Sequence, residues 1–280
     1  MNTNDKIKNF DHSSDPGFLA YYAEQSALPV TRARFARVRD KALKLVAAQG
    51  ADMKKLKVLD IGCGAGTQAR LWAESGYEVF GLDVNAPLIE VGRTRAREEG
   101  LDVRFDVGSA TSLPYEDGSM DVCLMPELLE HVEDWQSCIQ EAVRVLKPGG
   151  VFYLSTTNAL CPRQQEFNLP FYSWYPGFVK HHCERLAVTT RPELANHARY
   201  PAVHWFTYYG LQRYLGGLGM QCLDRFDLID ASGRSAVVQA LVWAARHLAP
   251  LRFAAHVMTE GTNVFSVKSI VMNKTDIQPQ

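Results

Sequence analysis

Between residues 18 and 50, apolar side chains recur at helical spacing, with Phe35, Val38, Ala42, Leu45 and Val46 preceding Gly50. That pattern predicts one or two helices leading into a sheet. The rhythm then shortens. The runs "KVLDI", "EVFGLD", "VRFDV", "DVCLM" and "VFYLST" are separated by helix-length patterns, which predicts βαβ units and a parallel sheet. The helix before "VFYLST" is expected to end in "KPGG", where Pro148 stops it and Gly149 and Gly150 turn the chain. From Asn158 to Trp205 the period is lost, and five of the thirteen prolines fall there among many aromatics. This reads as an insertion over the active edge of the sheet. A helix and a sixth strand follow in "FTYYGLQRYLGGLGMQCLDRFDLID", then a helical insertion over about 235–258, then a last strand in "VFSVKSIVMNK". The expected organisation is an N-terminal helical cap over 1–50, a ligand-binding core over 51–158, a substrate-lid insertion over 159–205, and the rest of the core over 206–280.

Composition narrows the function classes. Thirty basic residues against thirty-one acidic ones give no overall field for nucleic acid, so no nucleic-acid partner is expected. The six cysteines include no C-x-x-C pair and read as reduced thiols in a cytoplasmic protein. The polar opening "MNTNDKIKNFDHSSDPG" has no apolar stretch of the secretory kind. The apolar stretch "AVVQALVWAARHLAPLRFAAHVM" is interrupted by Arg246, His247, Pro250 and Arg252 and predicts no transmembrane segment. Its apolar surface is expected to close a pocket or to pair two copies as a homodimer.

The stretch with most chemistry is "KVLDIGCGAGTQARLWAESGYEVFGLDVN", Lys57 to Asn85. Gly62, Gly64 and Gly66 suit a sharp strand-to-helix turn that a ligand approaches closely. A dinucleotide fingerprint requires a third glycine where this chain has Thr67, and no Lys-Ser/Thr follows as in a phosphate-cradling loop. Asp83, at the end of the second strand, can accept from both hydroxyls of a ribose, while Asp60 adds charge that repels a pyrophosphate and attracts an ammonium. Ribose, carboxylate and ammonium without phosphate describe S-adenosylmethionine.

Through "VLDIGCGAG", "GLDVN", "LPYEDGSMDVC" and "LKPGG" in that order, the chain resembles the class I S-adenosylmethionine-dependent methyltransferases, well over residues 57–156 and less specifically over 206–273. The resemblance implies an α/β fold: a Rossmann-like, doubly wound, seven-stranded sheet with its last strand antiparallel. It also implies S-adenosylmethionine as cofactor across Asp60, Gly62, Gly64, Gly66, Asp83, Val84, Ser109, Ala110 and Met125. Where the family usually has G-D-A, this chain has Gly108-Ser109-Ala110. Ser109, Asp106 or a water then reaches the adenine amine, or Ser109 caps the turn. By analogy with family N-terminal caps, Arg32 or Arg34 is a candidate for the methionine carboxylate.

"MPELLEHVEDW" begins where the fourth strand ends, with Pro126 suited to a first helical turn. On such a helix Glu127 and Glu130 share a face, joined by His131 at i+4 from Glu127, so the three are candidate ligands for Mg²⁺ or another divalent cation. The segment resembles the E-x-x-E-H motif of ubiquinone-biosynthetic O-methyltransferases. The alternative is a solvated face complementing a helix start, since "LEHV" also occurs in metal-free relatives. His131 is the candidate general base for an acceptor hydroxyl. His181, His182 and His204, and the cations Arg163, Lys180, Arg185 and Arg191, are further residues around the insertion. The aromatics Phe171, Tyr172, Trp174, Tyr175 and Phe178 either line a stacking pocket or form the insertion's own core. The expected activity is O-methylation of a small-molecule or glycan-type hydroxyl. Two alternatives stand beside it: a metal-dependent methyltransferase of quinone-precursor phenols, and a non-catalytic cofactor-binding partner.

Overall fold

The apolar runs become the strands of one sheet: β1 (Lys57–Ile61), β2 (Glu78–Asp83), β3 (Val103–Val107), β4 (Met120–Pro126), β5 (Leu146–Thr157), β6 (Met220–Leu223) and β7 (Gly261–Lys268). The structure, a computed structural model, describes Glu24 and residues 28–195 and 204–270. Most of the expected helical opening before Leu28 therefore lies outside the described residues. The strand order is β3-β2-β1-β4-β5-β7-β6. All neighbours are parallel except the pairs of β7 with β5 and β6. The order in which strands are added reverses between β1 and β4, and the crevice at the carboxyl ends of those strands is where such sheets bind ligands.

Near-continuous apolar runs suit strands covered on both faces, and β4 displays this residue by residue. Val122 and Leu124 join one buried layer with Val38, Ala42, Trp72 and Ile89, whereas Cys123 and Met125 join the other with Ile139, Ala142, Leu211 and Leu215. The first layer is covered by α1 (Pro29–Ala48), α2 (Thr67–Ala73) and α3 (Ala86–Glu98), the second by α4 (Trp135–Val145) and α6 (Tyr208–Gly217). Polar caps set three helix starts: Asn85 accepts from Leu88 N, Asp134 from Ser137 N and Thr207 from Gly210 N.

Several expectations change. Pro126 ends β4 instead of opening a helix; Glu127 has φ +50°, Leu129–His131 forms a single 3₁₀ turn, and α4 begins only at Trp135 behind its Asp134 cap. A left-handed residue cannot continue into an α-helix, so Glu127 and Glu130 do not stack on one helical face. Helix α4 stops at Val145, three residues ahead of Pro148, because Leu146 already pairs with Met120. The C-terminal helical insertion is two helices, α7 (Ala236–His247) and α8 (Ala249–Val257), broken at Leu248 where the backbone is extended and Pro250 opens the second. Its outer surface exposes Leu241, Trp243 and Leu251. Buried Asp224 after β6 accepts from Arg252 Nε at 2.8 Å and pairs with His256 Nε2 at 2.9 Å, pinning α8 to the sheet. No helix of the described residues is long and apolar enough to cross a membrane.

The first insertion is partly ordered by α5 (Gly177–Thr189) and a small core in which Tyr172 stacks on Phe167 at 4.0 Å. Of the expected aromatics, Tyr172 and Tyr175 belong to the insertion's own core, while Phe171, Trp174 and Phe178 are exposed.

Candidate active site

At the end of β1 the chain folds back so that Gly62 N and Cys63 N both donate to Leu82 O of β2. Gly62, Gly64 and Gly66 all take positive φ. The requirement is clearest at Gly66, where a Cβ would meet the Phe105 ring at 2.4 Å in addition to the strain of φ +70°. Gly64 N donates to Asp83 Oδ2 and Asn85 N to Asp83 Oδ1, both at 2.8 Å, so the second-strand carboxylate is held rigidly against the turn. Burial raises the Asp83 pKa, against those two backbone donors. Val84 beside it is 70% exposed, an apolar surface suited to a ligand's ring.

Asp60 is buried, and one of its oxygens finds no donor among the described residues; the other accepts a long 3.4 Å bond from Gln68 Nε2, and the Ala69 backbone N–H also favours the ionised carboxyl. Burial pushes its pKa up to about 7, aided by the Asp83 charge. A buried carboxyl lacking a donor is costly unless a cation arrives. The bare turn, the fixed Asp83 and the unsatisfied Asp60 therefore fit a nucleoside carrying an ammonium group.

The rest of the expected cradle is uneven. Ser109 shares its hydroxyl with Thr111 Oγ1 at 2.7 Å and accepts from Thr111 N, so it does cap its own turn. Asp106 is engaged by the Tyr115 hydroxyl and Arg104. The side chains of Ala110 and Met125 belong to the core, which leaves their backbones for any contact. Arg32 pairs with Glu74 at 2.9 Å, and Arg34 turns instead to a second cavity.

That cavity, of about 310 Å³, lies at the ends of β4 and β5 and the start of β7. Glu127 is at its edge with Arg34, Tyr153, Ser155, Trp205 and Arg225. Glu127 is fixed twice to β5: its N donates to Ser155 O at 2.8 Å and its Oε1 accepts from Ser155 Oγ at 2.5 Å. Holding a glutamate at φ +50° costs on the order of 1–2 kcal/mol. Strain of this kind persists where surrounding bonds over-determine the residue, and it concentrates at functional sites.

The metal expectation is not met by the geometry. Among the described residues no group of three His, Cys, Asp or Glu side chains is placed to hold a metal ion. Glu130 is buried and bound to Thr156 Oγ1 at 2.7 Å, and burial together with the Glu127 charge raises its pKa well above the usual carboxylate range. A buried carboxyl whose surroundings favour its neutral form is a poor ligand for a hard cation. His131 ends the 3₁₀ turn and does not line the cavity. His181 and His182 are exposed on α5, and His204 contributes its backbone, donating to Glu130 O and accepting from Thr157 Oγ1. Lys180 is spent inside the insertion, on Ser173 O and over the Trp205 ring.

Sequence reasoning missed Tyr153, Ser155 and Arg225, and with them Gln164, Glu260 and Asn263. One signal was available: "STTN" at 155–158 is a polar run ending an apolar strand.

A parallel sheet with a glycine turn after β1 and a fixed carboxylate after β2 defines a nucleoside-handling α/β protein. Residues 59–154 match the family model described as a methyltransferase domain. The chain is 32% identical over 159 residues to the ubiquinone biosynthesis O-methyltransferase of Pectobacterium carotovorum, covering 56% of this chain and 66% of that one. It is 36% identical over 139 residues to the norajmaline N-methyltransferase of Rauvolfia serpentina, covering 48% and 46%. Both matches span less than two thirds of the relative's own length. A solved candidate sarcosine dimethylglycine methyltransferase from Galdieria sulphuraria shares the fold, with a TM-score of 0.51, 19% identity, and coverage of 84% of this chain and 86% of that one. Residues 59–154 form a methyltransferase domain, and the fold around them is that of class I S-adenosylmethionine-dependent methyltransferases.

Proposed function

We propose that the protein is a methyltransferase that uses S-adenosylmethionine to methylate a hydroxyl of a small-molecule or glycan-type acceptor. One observation carries the reading: a hydrogen-bonding cavity opens at the carboxyl ends of β4 and β5, the same edge of the parallel sheet that carries the glycine turn after β1, with strained Glu127 at the cavity's edge. S-adenosylmethionine supplies, when bound, an activated methyl group that needs only a lone pair to accept it. Gly62, Gly64 and Gly66 admit the cofactor's backbone-close approach, Asp83 receives its ribose hydroxyls, and Asp60 receives its ammonium. Glu127, oriented by Ser155, takes the acceptor's proton as the oxygen is alkylated. His131, the base expected from sequence, is the second candidate for that role.

A hydroxyl acceptor is supported by the presence of a fixed carboxylate, which a neutral amine would not need. The relatives' names include both O- and N-methylation. The quinone-precursor reading finds support in the ubiquinone-biosynthetic relative but not in the cavity, whose side chains are mostly polar. Six free thiols support a reducing, cytoplasmic setting.

The test is transfer of labelled methyl from S-adenosylmethionine into hydroxyl-bearing metabolites, with and without a chelator. Chelator-resistant transfer to oxygen, lost in Glu127→Gln and kept in His131→Gln, is expected. Transfer to nitrogen alone, or transfer that needs an added divalent ion, contradicts the reading.

A further inference from the structure

Small-molecule sites are usually lined mainly by apolar and aromatic groups. The cavity beside Glu127 is not: apart from Tyr153 and Trp205, its side chains are hydroxyls, amides, carboxylates and two guanidinia. The charges in it are unequally engaged. Glu127 is bound to the Ser155 hydroxyl and Glu260 accepts from Gln165 Nε2 at 2.9 Å. Among the described residues neither Arg34 nor Arg225 makes an ion pair. The Arg34 guanidinium lies 5.3 Å from the Phe35 ring of its own helix, and Arg225 donates to the backbone oxygen of Gly261 at 2.7 Å. Both cations act on the same group: burial and the Glu127 charge push the Tyr153 hydroxyl up to about 12, while Ser155, Arg34 and Arg225 pull the other way. Arg34 and Arg225 line the same cavity as Tyr153, together with the carboxylates of Glu127, Glu166 and Glu260. Burial lowers the Arg225 pKa even against the neighbouring Asp224 charge, so an anion arriving in the cavity would favour the charged guanidinium.

We propose that Arg34 and Arg225 hold an anionic group of the acceptor, so that the substrate class is a hydrophilic, polyhydroxylated molecule bearing a carboxylate or phosphate, such as a sugar acid or sugar phosphate. This rests on the reading above that the cavity receives the acceptor. The competing source of the anion, the cofactor's own carboxylate, is disfavoured by distance across the sheet. Tyr153 and Gly261 belong to β5 and β7, two and three strands from β1 in the order of the sheet. At the usual strand spacing that is about 10 and 15 Å. The Asn263 amide, whose oxygen accepts from the Tyr153 hydroxyl at 2.8 Å, and the ring of Trp205 offer a hydrogen-bonding group and a flat apolar face of the kind sugar rings use.

The experiment titrates glucuronate, glucose 6-phosphate and glucose into the full-length protein loaded with S-adenosylhomocysteine, followed by calorimetry. In parallel it methylates a small-molecule cell extract with labelled cofactor and separates the products on an anion exchanger, with a phosphatase-treated arm. At least one of the two acidic sugars should bind tenfold or more tightly than glucose, and the labelled product should be retained as an anion. Elution of that label after phosphatase identifies a phosphate; retention identifies a carboxylate. Arg34→Gln should lower acceptor affinity or kcat/KM 10- to 100-fold with S-adenosylhomocysteine affinity unchanged. Arg225→Gln should act likewise, and Arg34, on a helix surface, serves if that variant misfolds. A neutral or organic-extractable product, no preference for the acidic sugars, or an Arg34→Gln effect that falls on the cofactor overturns the proposal. A wild-type protein that binds no S-adenosylhomocysteine and labels nothing overturns the methyltransferase reading as well; cofactor binding with a neutral product overturns this inference alone.

Discussion

Replacing Asp60 by asparagine separates the cost of an empty site from its use. The buried carboxyl has its pKa raised from 3.8 to about 7. A raised carboxyl means that the folded state holds a proton that the unfolded chain has already lost. Stability is therefore undiminished below pH 4, declines as pH rises from about 4 to 7, and stays low above that. A shift of about 3 units corresponds to about 4 kcal/mol at pH 8. Asp60→Asn should thus stabilise the ligand-free protein by several kcal/mol at pH 8 and hardly at all near pH 4, read by urea denaturation. The same proton reports binding. At pH 6 about 0.9 of the Asp60 carboxyls are protonated, and a ligand ammonium that favours the carboxylate expels that proton; at pH 8 only about 0.1 remains. Calorimetry with S-adenosylhomocysteine in buffers of low and high ionisation enthalpy should give about one proton released at pH 6, almost none at pH 8, and none with Asp60→Asn, which also binds more weakly. Buffer-independent heats at pH 6, or asparagine binding as tightly as aspartate, refute the assignment of Asp60 to the ammonium.

Glu130→Gln should be tolerated to within about 0.5 kcal/mol, because burial already favours the neutral form, whereas Glu130→Ala leaves the Thr156 hydroxyl without its partner and should cost about 1–3 kcal/mol in denaturant unfolding. Equal losses in both variants would mean that the charge itself is needed. Gly66→Ala should destabilise by about 2–5 kcal/mol, combining left-handed strain with a Cβ driven into the Phe105 ring; an unchanged midpoint would show that the turn relaxes freely.

The sheet was legible in the sequence because each parallel strand is a short run covered on both faces, and such runs announce themselves as apolar blocks between helix-length patterns. The turn at Gly62 to Gly66 was equally plain, since glycine at three near-adjacent positions has few uses other than positive φ. The segment after β4 misled for a physical reason. "PELLEH" has helical spacing and a proline suited to a helix start, but tertiary bonds to Ser155 and Thr156 outweigh local preference and hold Glu127 in a left-handed conformation. The cavity beside Glu127 was hidden because it draws Arg34, Tyr153, Arg225 and Asn263 from four separate segments of the chain. Only the sheet order that sets β7 beside β5 brings them together. For His131 and Met125 the motif fixes a backbone position but not the direction in which a side chain points.

The central claim is that the glycine turn and Asp83 hold the nucleoside of S-adenosylmethionine. Calorimetry of wild-type and Asp83→Ala protein with S-adenosylhomocysteine, and separately with a nicotinamide dinucleotide, tests it most directly. Binding of the first by wild type, weakened about 100-fold or more in the variant and absent for the dinucleotide, is the predicted result. Affinity untouched by the substitution, or uptake of the dinucleotide in its place, would contradict it.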